Sequence, residues 1–205
     1  MSLANLVNYH IETNGAKYVS RHGSCPMRVH DTTASHSHHL ALMCIDTIRK
    51  LKLSVNPLYT IELALRHDIC EIGNSSDIDS LSVERGIVTL EQKKELERKT
   101  INRLSKQYQA CDEIFWREYE EGKTPESRFV KAMDKIECLI HIIERGGTGR
   151  TWEDNDRNHV AKYADEATRN FIQLEPLLKE VKLRLKKVYS DLKFPWEPEY
   201  NYPGL

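Results

Sequence analysis

The chain has 205 residues, with 30 Lys and Arg against 31 Asp and Glu and a formal net charge of -1. That length suits one domain around one core, and the balanced charge gives no reason to expect a nucleic-acid polymer or a membrane surface as partner. No run approaches the roughly 18 apolar residues of a membrane span. Met1–Asn5 lacks the charged start and apolar run of a secretory signal. Five cysteines without CxxC spacing suit reduced thiols better than a disulfide frame, so a cytoplasmic setting is expected.

The chain reads as helical nearly throughout, an all-α single domain. Residues 1–17 form a helical lead-in. Asp31-Thr32-Thr33 caps a helix whose apolar positions Leu40, Met43, Cys44, Ile48 and Leu51 recur at helical spacing. Pro57 suits the first turn of the next helix, with Leu58, Ile61, Leu65, Ile69 and Ile72 as its buried stripe and Gly73-Asn74-Ser75-Ser76 as its break. Leu90 to Gln107 reads as a charged amphipathic helix with Leu96, Ile101 and Leu104 inward. A short aromatic helix around Ile114, Phe115, Trp116 and Tyr119 ends at Gly122. Thr124-Pro125-Glu126 opens a long helix to Arg145, where Gly146-Gly147 stops it. His159 to Gln173 and Glu175 to Leu192 read as two more helices. Lys179, Lys182, Arg184, Lys186 and Lys187 on the second are a solvated face. Phe194 to Leu205, with three prolines, is expected to be an extended tail lying on its own domain or on a neighbouring subunit.

The residues that can carry chemistry fall in three of these segments. Arg66-His67-Asp68-Ile69-Cys70-Glu71 joins a histidine and an aspartate to a carboxylate one turn later, and His36 lies 31 residues before His67. Asp134 interrupts an apolar stripe of Phe129, Met133, Ile136 and Ile140, where a buried carboxylate is costly unless it meets a metal or a cation. His36, His67, Asp68 and Asp134 make a mixed nitrogen and oxygen set suited to Mn, Fe, Co or Zn, with Mg as a further candidate. Divalent sites of this kind lower the pKa of bound water, so the pattern points to a hydrolase. Four positions apart, His67 and Glu71 should project from one face of one helix. Facing helices of a bundle are a known way to assemble such a site. Surface roles are the default for His38 and His39. His141 fits either a partner behind the ligands or a capped core histidine. Lys135 should reach solvent or pair with an acid, and Lys131, one turn before Asp134, can approach a phosphate. Cys70 reads as a small buried thiol.

The order His36, His67-Asp68, Asp134 resembles that of the HD-domain phosphohydrolase superfamily, across roughly residues 18–146. The resemblance implies an HD-type helical bundle, with a catalytic core at 18–150, C-terminal helices at 151–193 and the tail at 194–205. Within the superfamily the chain is most similar to the YfbR-like 5'-deoxynucleotidases. Ser35-His36-Ser37 stands where that group reads Glu-His-Ser, Arg21 stands at its substrate-binding arginine, and Val130-Lys131-Ala132-Met133-Asp134-Lys135 resembles its Val-Lys-Ala-x-Asp-Lys segment. His22 replaces a Trp and Ser35 an acidic residue, the latter implying a looser contact behind the first ligand. The Asp expected five residues after Glu71 comes six after it as Asp77, with Asp79 as a near alternative. Ile78 to Arg85 replaces a Pro-rich, Lys-bearing loop, with Arg85 as its cation.

The resemblance implies one divalent metal ion on His36, His67, Asp68 and Asp134, and Arg21 as a phosphate clamp. His22, Lys131 and Arg85 are the further substrate-contact candidates. It makes Glu71 the general base or water-orienting group, and Asp77 the group that protonates the leaving oxygen or holds the sugar. The implied reaction releases phosphate from deoxynucleoside 5'-monophosphates. A homodimer or higher homo-oligomer is implied too, with Phe115, Trp116 and Tyr119 as candidate contacts or core. Two alternatives stay open. A dNTP triphosphohydrolase releasing tripolyphosphate would draw on Lys131, Arg85, Arg128 and Arg145, and a nucleotide-binding regulatory module would keep the fold without the reaction.

Overall fold

Polar side chains placed just ahead of the apolar segments start the helices. The computed structural model describes residues 1–22, 31–73, 77–145 and 152–202. Its helices are α1 (Leu3–Thr13), α2 (Thr33–Leu51), α3 (Pro57–Arg66), α4 (Ser80–Glu84), α5 (Leu90–Tyr108), α6 (Asp112–Glu121), α7 (Pro125–Arg145), α8 (Asp154–Lys162), α9 (Asp165–Arg169) and α10 (Glu175–Asp191). No strand occurs among the described residues, as an all-α reading requires. Thr32 opens α2 in a reciprocal box with Ser35, whose Oγ accepts from Thr32 N at 2.8 Å and donates to Asp31 Oδ1 at 2.6 Å. The serine that replaces the family's acid thus serves the helix start and fixes Asp31. Thr89 and Gln92 do the same for α5, and Asn56 caps α3 ahead of Pro57. Gly122 ends α6 at φ +60°, a conformation that favours glycine, and the chain turns into α7.

The long helix α7 runs through the core. Its Phe129, Met133, Ile136 and Leu139 are fully buried against Leu40 and Cys44 of α2, Leu63 of α3 and Leu178 and Leu185 of α10. No helix among the described residues is long and apolar enough to cross a membrane.

Several expectations need correction. In α3, Leu58 is 76% exposed and Leu65 48%, whereas Thr60, Leu63 and Ala64 face inward. The buried series 60, 63, 64 leads on to His67, so the inward face is the one that carries the histidine. The helix does not run to Ile72. It ends at Arg66, and a 3-10 turn, Ile69–Gly73, follows. In α5 the inward residues are Glu97, Thr100, Ile101, Leu104 and Tyr108, and Leu96 is 40% exposed. The single helix expected over His159 to Gln173 is divided among α8, α9 and a short 3-10 turn at Ile172–Leu174. Lys182 is not solvated: its Nζ is buried against Asp165 Oδ2 at 2.8 Å and Tyr200 O at 2.7 Å. The tail folds back on its own domain, with Trp196 and Tyr200 edge-on to Tyr189 at 5.1 and 6.1 Å. The expected breaks at Asn74-Ser75-Ser76 and Gly146-Gly147 lie outside the described residues.

Candidate metal centre and its cavity

Three helices bring the four candidate ligands together. His36 projects from the first turn of α2, His67 caps the C-terminus of α3, Asp68 follows in the turn, and Asp134 lies midway along α7. His36 Nε2 is 3.2 Å from Asp134 Oδ1 and 3.8 Å from Asp68 Oδ2. His67 Nε2 is 3.1 Å from Asp68 Oδ2 and 4.0 Å from Asp134 Oδ1. Both imidazole nitrogens are buried, and neither makes a hydrogen bond. Two such nitrogens converging on two carboxylate oxygens suit a divalent ion, whose bonds to nitrogen and oxygen run about 2.0–2.2 Å for zinc. Electrostatics agree with this fit. Burial and Arg21 oppose a charge on His36, yet Asp134 and Glu137 outweigh them and raise its pKa to about 9, so the place favours a cation.

A second set of groups aims the ligands. Glu137 Oε2 lies 2.6 Å from His36 Nδ1, and Glu137 Oε1 lies 2.8 Å from His39 Nδ1. The carboxylate takes the Nδ1–H of His36 and so turns an Nε2 lone pair toward Asp68 and Asp134. His67 Nδ1 donates in the same sense to Ala64 O at 2.9 Å. Tyr119 Oη and Lys135 Nζ donate to Asp134 Oδ2 at 2.7 and 2.9 Å, leaving Oδ1 toward the histidines. Burial works against a charged Asp134, but Lys135 and the histidines hold its pKa well below the usual carboxylate range.

Arg21 is buried beside these ligands. Its Nη1 donates to Asp68 Oδ2 at 2.9 Å and its Nη2 to Cys138 Sγ at 3.5 Å, while Nε lies 3.5 Å from Asp31 Oδ2. Glu71 comes from the 3-10 turn, not from the helix of His67, and it too is buried. Thr33 Oγ1 donates to its Oε2 at 2.7 Å. Burial first, then the charges of Asp68 and Asp77, push the Glu71 carboxyl well above its usual range. Asp77 is one of the charges that raise Glu71, and Lys93 Nζ lies 3.6 Å from its Oδ1. Asp79 instead caps α4, accepting from Ser82 N at 2.8 Å. Of the two, Asp77 is therefore the one that adjoins Glu71.

Arg21, His67, Asp68, Glu71, Asp77 and Asp134 border a cavity of about 560 Å³. His22 and Lys131 line it as well. His22 stands at φ 58°, its ring stacked on His141 at 5.1 Å, and burial with Arg21 and His141 nearby lowers its pKa to about 4. Lys131 Nζ donates to Tyr119 O and Glu120 O, both at 3.2 Å. Arg85 is not brought to the cavity: it forks onto Asp156 at 3.0 and 2.7 Å. Arg128 donates to Lys123 O, and the Arg145 side chain lies outside the described residues. Cys70 is a buried thiol. Phe115 and Tyr119 are core, and Trp116 borders the cavity, so the aromatic side chains of α6 face inward. The sequence does not single out Glu137 and Lys93, and it reads Thr33 and Tyr119 as parts of a helix start and an aromatic helix, not as site residues. Only Glu137 left a signal, an acid three residues after Asp134 on the same buried face.

The HD domain family matches residues 14–174. A curated relative from Dictyostelium discoideum, named 5'-deoxynucleotidase HDDC2, is 29% identical over 125 residues, 56% of this chain and 62% of that protein. The chain thus covers less than two thirds of that relative's length. Among solved structures, a predicted metal-dependent phosphohydrolase from Magnetospirillum magnetotacticum has a TM-score of 0.65 at 22% identity, covering 98% of this chain and 96% of its own. A protein from Pyrococcus horikoshii has the same TM-score of 0.65 at 19% identity, covering 87% and 99%. A protein from Pyrococcus furiosus reaches 0.63 at 20% identity, covering 86% and 99%. At these identities the likeness to solved structures speaks to the fold, and the family match covers most of the sequence: the chain belongs to the HD-domain family.

Proposed function

We propose that this chain is a metal-dependent phosphohydrolase that releases phosphate from deoxynucleoside 5'-monophosphates. The observation that carries the reading is the convergence of His36 Nε2 and His67 Nε2, buried and without hydrogen bonds, on Asp68 and Asp134 beside the buried Arg21. The cavity that Arg21, His67, Asp68 and Asp134 border, about 560 Å³, falls in the range of small-molecule sites. Membership of the HD-domain family supports a hydrolytic site, and the relative named 5'-deoxynucleotidase supports the substrate class.

His36, His67, Asp68 and Asp134 would hold one divalent ion, Co, Mn, Zn or Fe, with Mg as a further candidate. Bound there, the ion supplies a Lewis acid for a phosphate oxygen and a water of lowered pKa. Arg21 binds the phosphate, where a guanidinium fork suits two oxygens at once. Glu71 accepts the proton of the attacking water. A carboxylate with a raised pKa is a better base than an ordinary one, and burial beside Asp68 and Asp77 gives Glu71 that property. Asp77, whose charge acts on Glu71 and which borders the same cavity, returns the proton to the leaving 5'-oxygen. Lys93, 3.6 Å away, steadies Asp77.

A monophosphate fits better than a triphosphate. Arg85 is engaged by Asp156 and Arg128 by a backbone carbonyl, and Lys131, though on the cavity wall, is held on two carbonyls, so these three cations are less available to outer phosphates. The test is a panel of dNMP, NMP and dNTP substrates with Co, Mn or Mg, quantifying phosphate and tripolyphosphate separately. Phosphate from dNMPs is expected, and tripolyphosphate from a dNTP would overturn the reading. A cytoplasmic homo-oligomer belongs to the same proposal, and its molar mass in light scattering checks the assembly.

A further inference from the structure

A polar array, one hydrogen bond and one longer charge contact, stands on the cavity wall built by α4 and α8. His159 Nε2 lies 3.1 Å from Ser80 Oγ, and His159 Nδ1 lies 3.5 Å from Glu84 Oε2. All three side chains border the cavity that contains Arg21, His67 and Asp68. The wall is fastened from behind, because the Arg85–Asp156 fork ties the end of α4 to α8. The array also connects to the candidate ligands along the wall. Lys135 Nζ reaches both Asp134 Oδ2 at 2.9 Å and the Tyr163 hydroxyl at 3.0 Å, and the Tyr163 ring lies against His159 with centroids 5.3 Å apart. A lysine head and one aromatic ring therefore link the metal side to the array along one cavity wall.

The chemistry of this wall is one-sided. Leu81, Val83 and Val160 give it apolar surface. Its anions are Asp79 and Glu84, with Glu166 of α9 on the same cavity, and no Lys or Arg of α4 or α8 borders it. With His159 Nδ1–H turned toward Glu84, Nε2 accepts the Ser80 hydroxyl. The lone pairs of Ser80 Oγ and the carboxylate of Glu84 then face the cavity as acceptors. A flat apolar ligand with N–H donors on its edge complements such a wall, whereas one presenting carbonyl oxygens is repelled. A carboxylate accepting from the amine of cytosine is an established base-reading contact.

We propose that Ser80, His159 and Glu84 form a base-reading subsite that selects nucleotides whose base carries an exocyclic amine (adenine, cytosine, guanine) over thymine and uracil. The proposal rests on the nucleotidase reading for the phosphate at Arg21, but it can be tested apart from it. Deoxycytidine and deoxyuridine differ at C4, amine against carbonyl, and at the adjoining N3, acceptor against N–H donor. Selection of deoxycytidine requires the C4 amine to outweigh the N3–H. Neither nucleoside carries a phosphate. Their binding to the metal-loaded protein, measured by titration calorimetry, should differ about tenfold in favour of deoxycytidine. In Glu84→Gln, an exposed position whose amide both donates and accepts, the ratio should fall to within about twofold. Equal affinities in the wild type, an unchanged ratio in Glu84→Gln, or no nucleoside binding at millimolar concentration would each overturn it. Phosphate release from dCMP is scored separately. Nucleoside discrimination without phosphate release leaves the subsite standing and removes the nucleotidase, and phosphate release without discrimination does the reverse.

Discussion

Replacing Glu137 by Gln should weaken metal binding without altering any candidate ligand. Glu137 is 3% exposed, and its two oxygens are spent on His36 Nδ1 at 2.6 Å and His39 Nδ1 at 2.8 Å. Burial opposes its charge, but the hydrogen bond to His36 outweighs that and brings its pKa down to about 2. The carboxylate therefore accepts only, which keeps a proton of His36 on Nδ1 and leaves Nε2 as the nitrogen that exchanges its proton for a metal. A glutamine can turn its NH₂ to Nδ1 instead. His36 would then carry its proton on Nε2, where it blocks ligation. Loss of an orienting partner of this kind lowers metal affinity about 10- to 100-fold, or about 1.4–2.8 kcal/mol. A short, buried, charge-assisted contact argues for the upper part of that range. His39 is half exposed, so His39→Ala should shift affinity less than about threefold. Competition with a chelating dye for Mn or Co, at one pH, measures both. A Glu137→Gln protein with unaltered circular dichroism and an affinity within threefold of wild type would refute the argument.

Three other perturbations probe the same fold and site. Glu71→Ala should lower phosphate release about a hundred- to ten-thousand-fold while metal per chain stays constant; wild-type turnover would remove Glu71 from the proton transfer. Lys182→Met strands Asp165, which is 7% exposed, and Tyr200 O, so urea unfolding should show a loss of about 3–5 kcal/mol. Lys182→Met with Asp165→Leu should recover most of it, and a single variant as stable as wild type would mean the tail is held by its aromatic contacts alone. Gly73→Ala would set a methyl well inside contact with Thr100 Oγ1 and 3.3 Å from Thr100 Cγ2. Shifting the turn that carries Glu71 should cost about 1–3 kcal/mol in thermal unfolding, and adding Thr100→Ala should relieve it. An unchanged Tm in Gly73→Ala would show that Thr100 simply turns aside.

What could be read from the sequence was what a residue does by its own chemistry. His36, His67, Asp68 and Asp134 stood out because imidazoles and carboxylates at helical positions are costly to bury unless something binds them, and the fold brings all four within reach of one point. Residues whose role is set by a distant partner left no such mark. Thr33 meets Glu71 across 38 positions and Glu137 meets His36 across 101. Lys182 looked solvated because it is grouped with four other cations of its helix, and only Asp165 and the returning tail, through Tyr200 O, make it a core residue. Periodicity failed in α3 for a related reason. Leu58 and Leu65 made the more apolar stripe, but the inward face was the one ending in His67, with Thr60 as its least apolar member. A site assembled at the C-terminus of a helix draws the helix round to face it, so in this chain the candidate ligand predicts the buried face better than the leucines do. The same logic separates Arg21 from Arg85. Both are arginines near the candidate ligands in sequence-based reading, but Asp156 holds one outside the cavity while Asp68 draws the other into it.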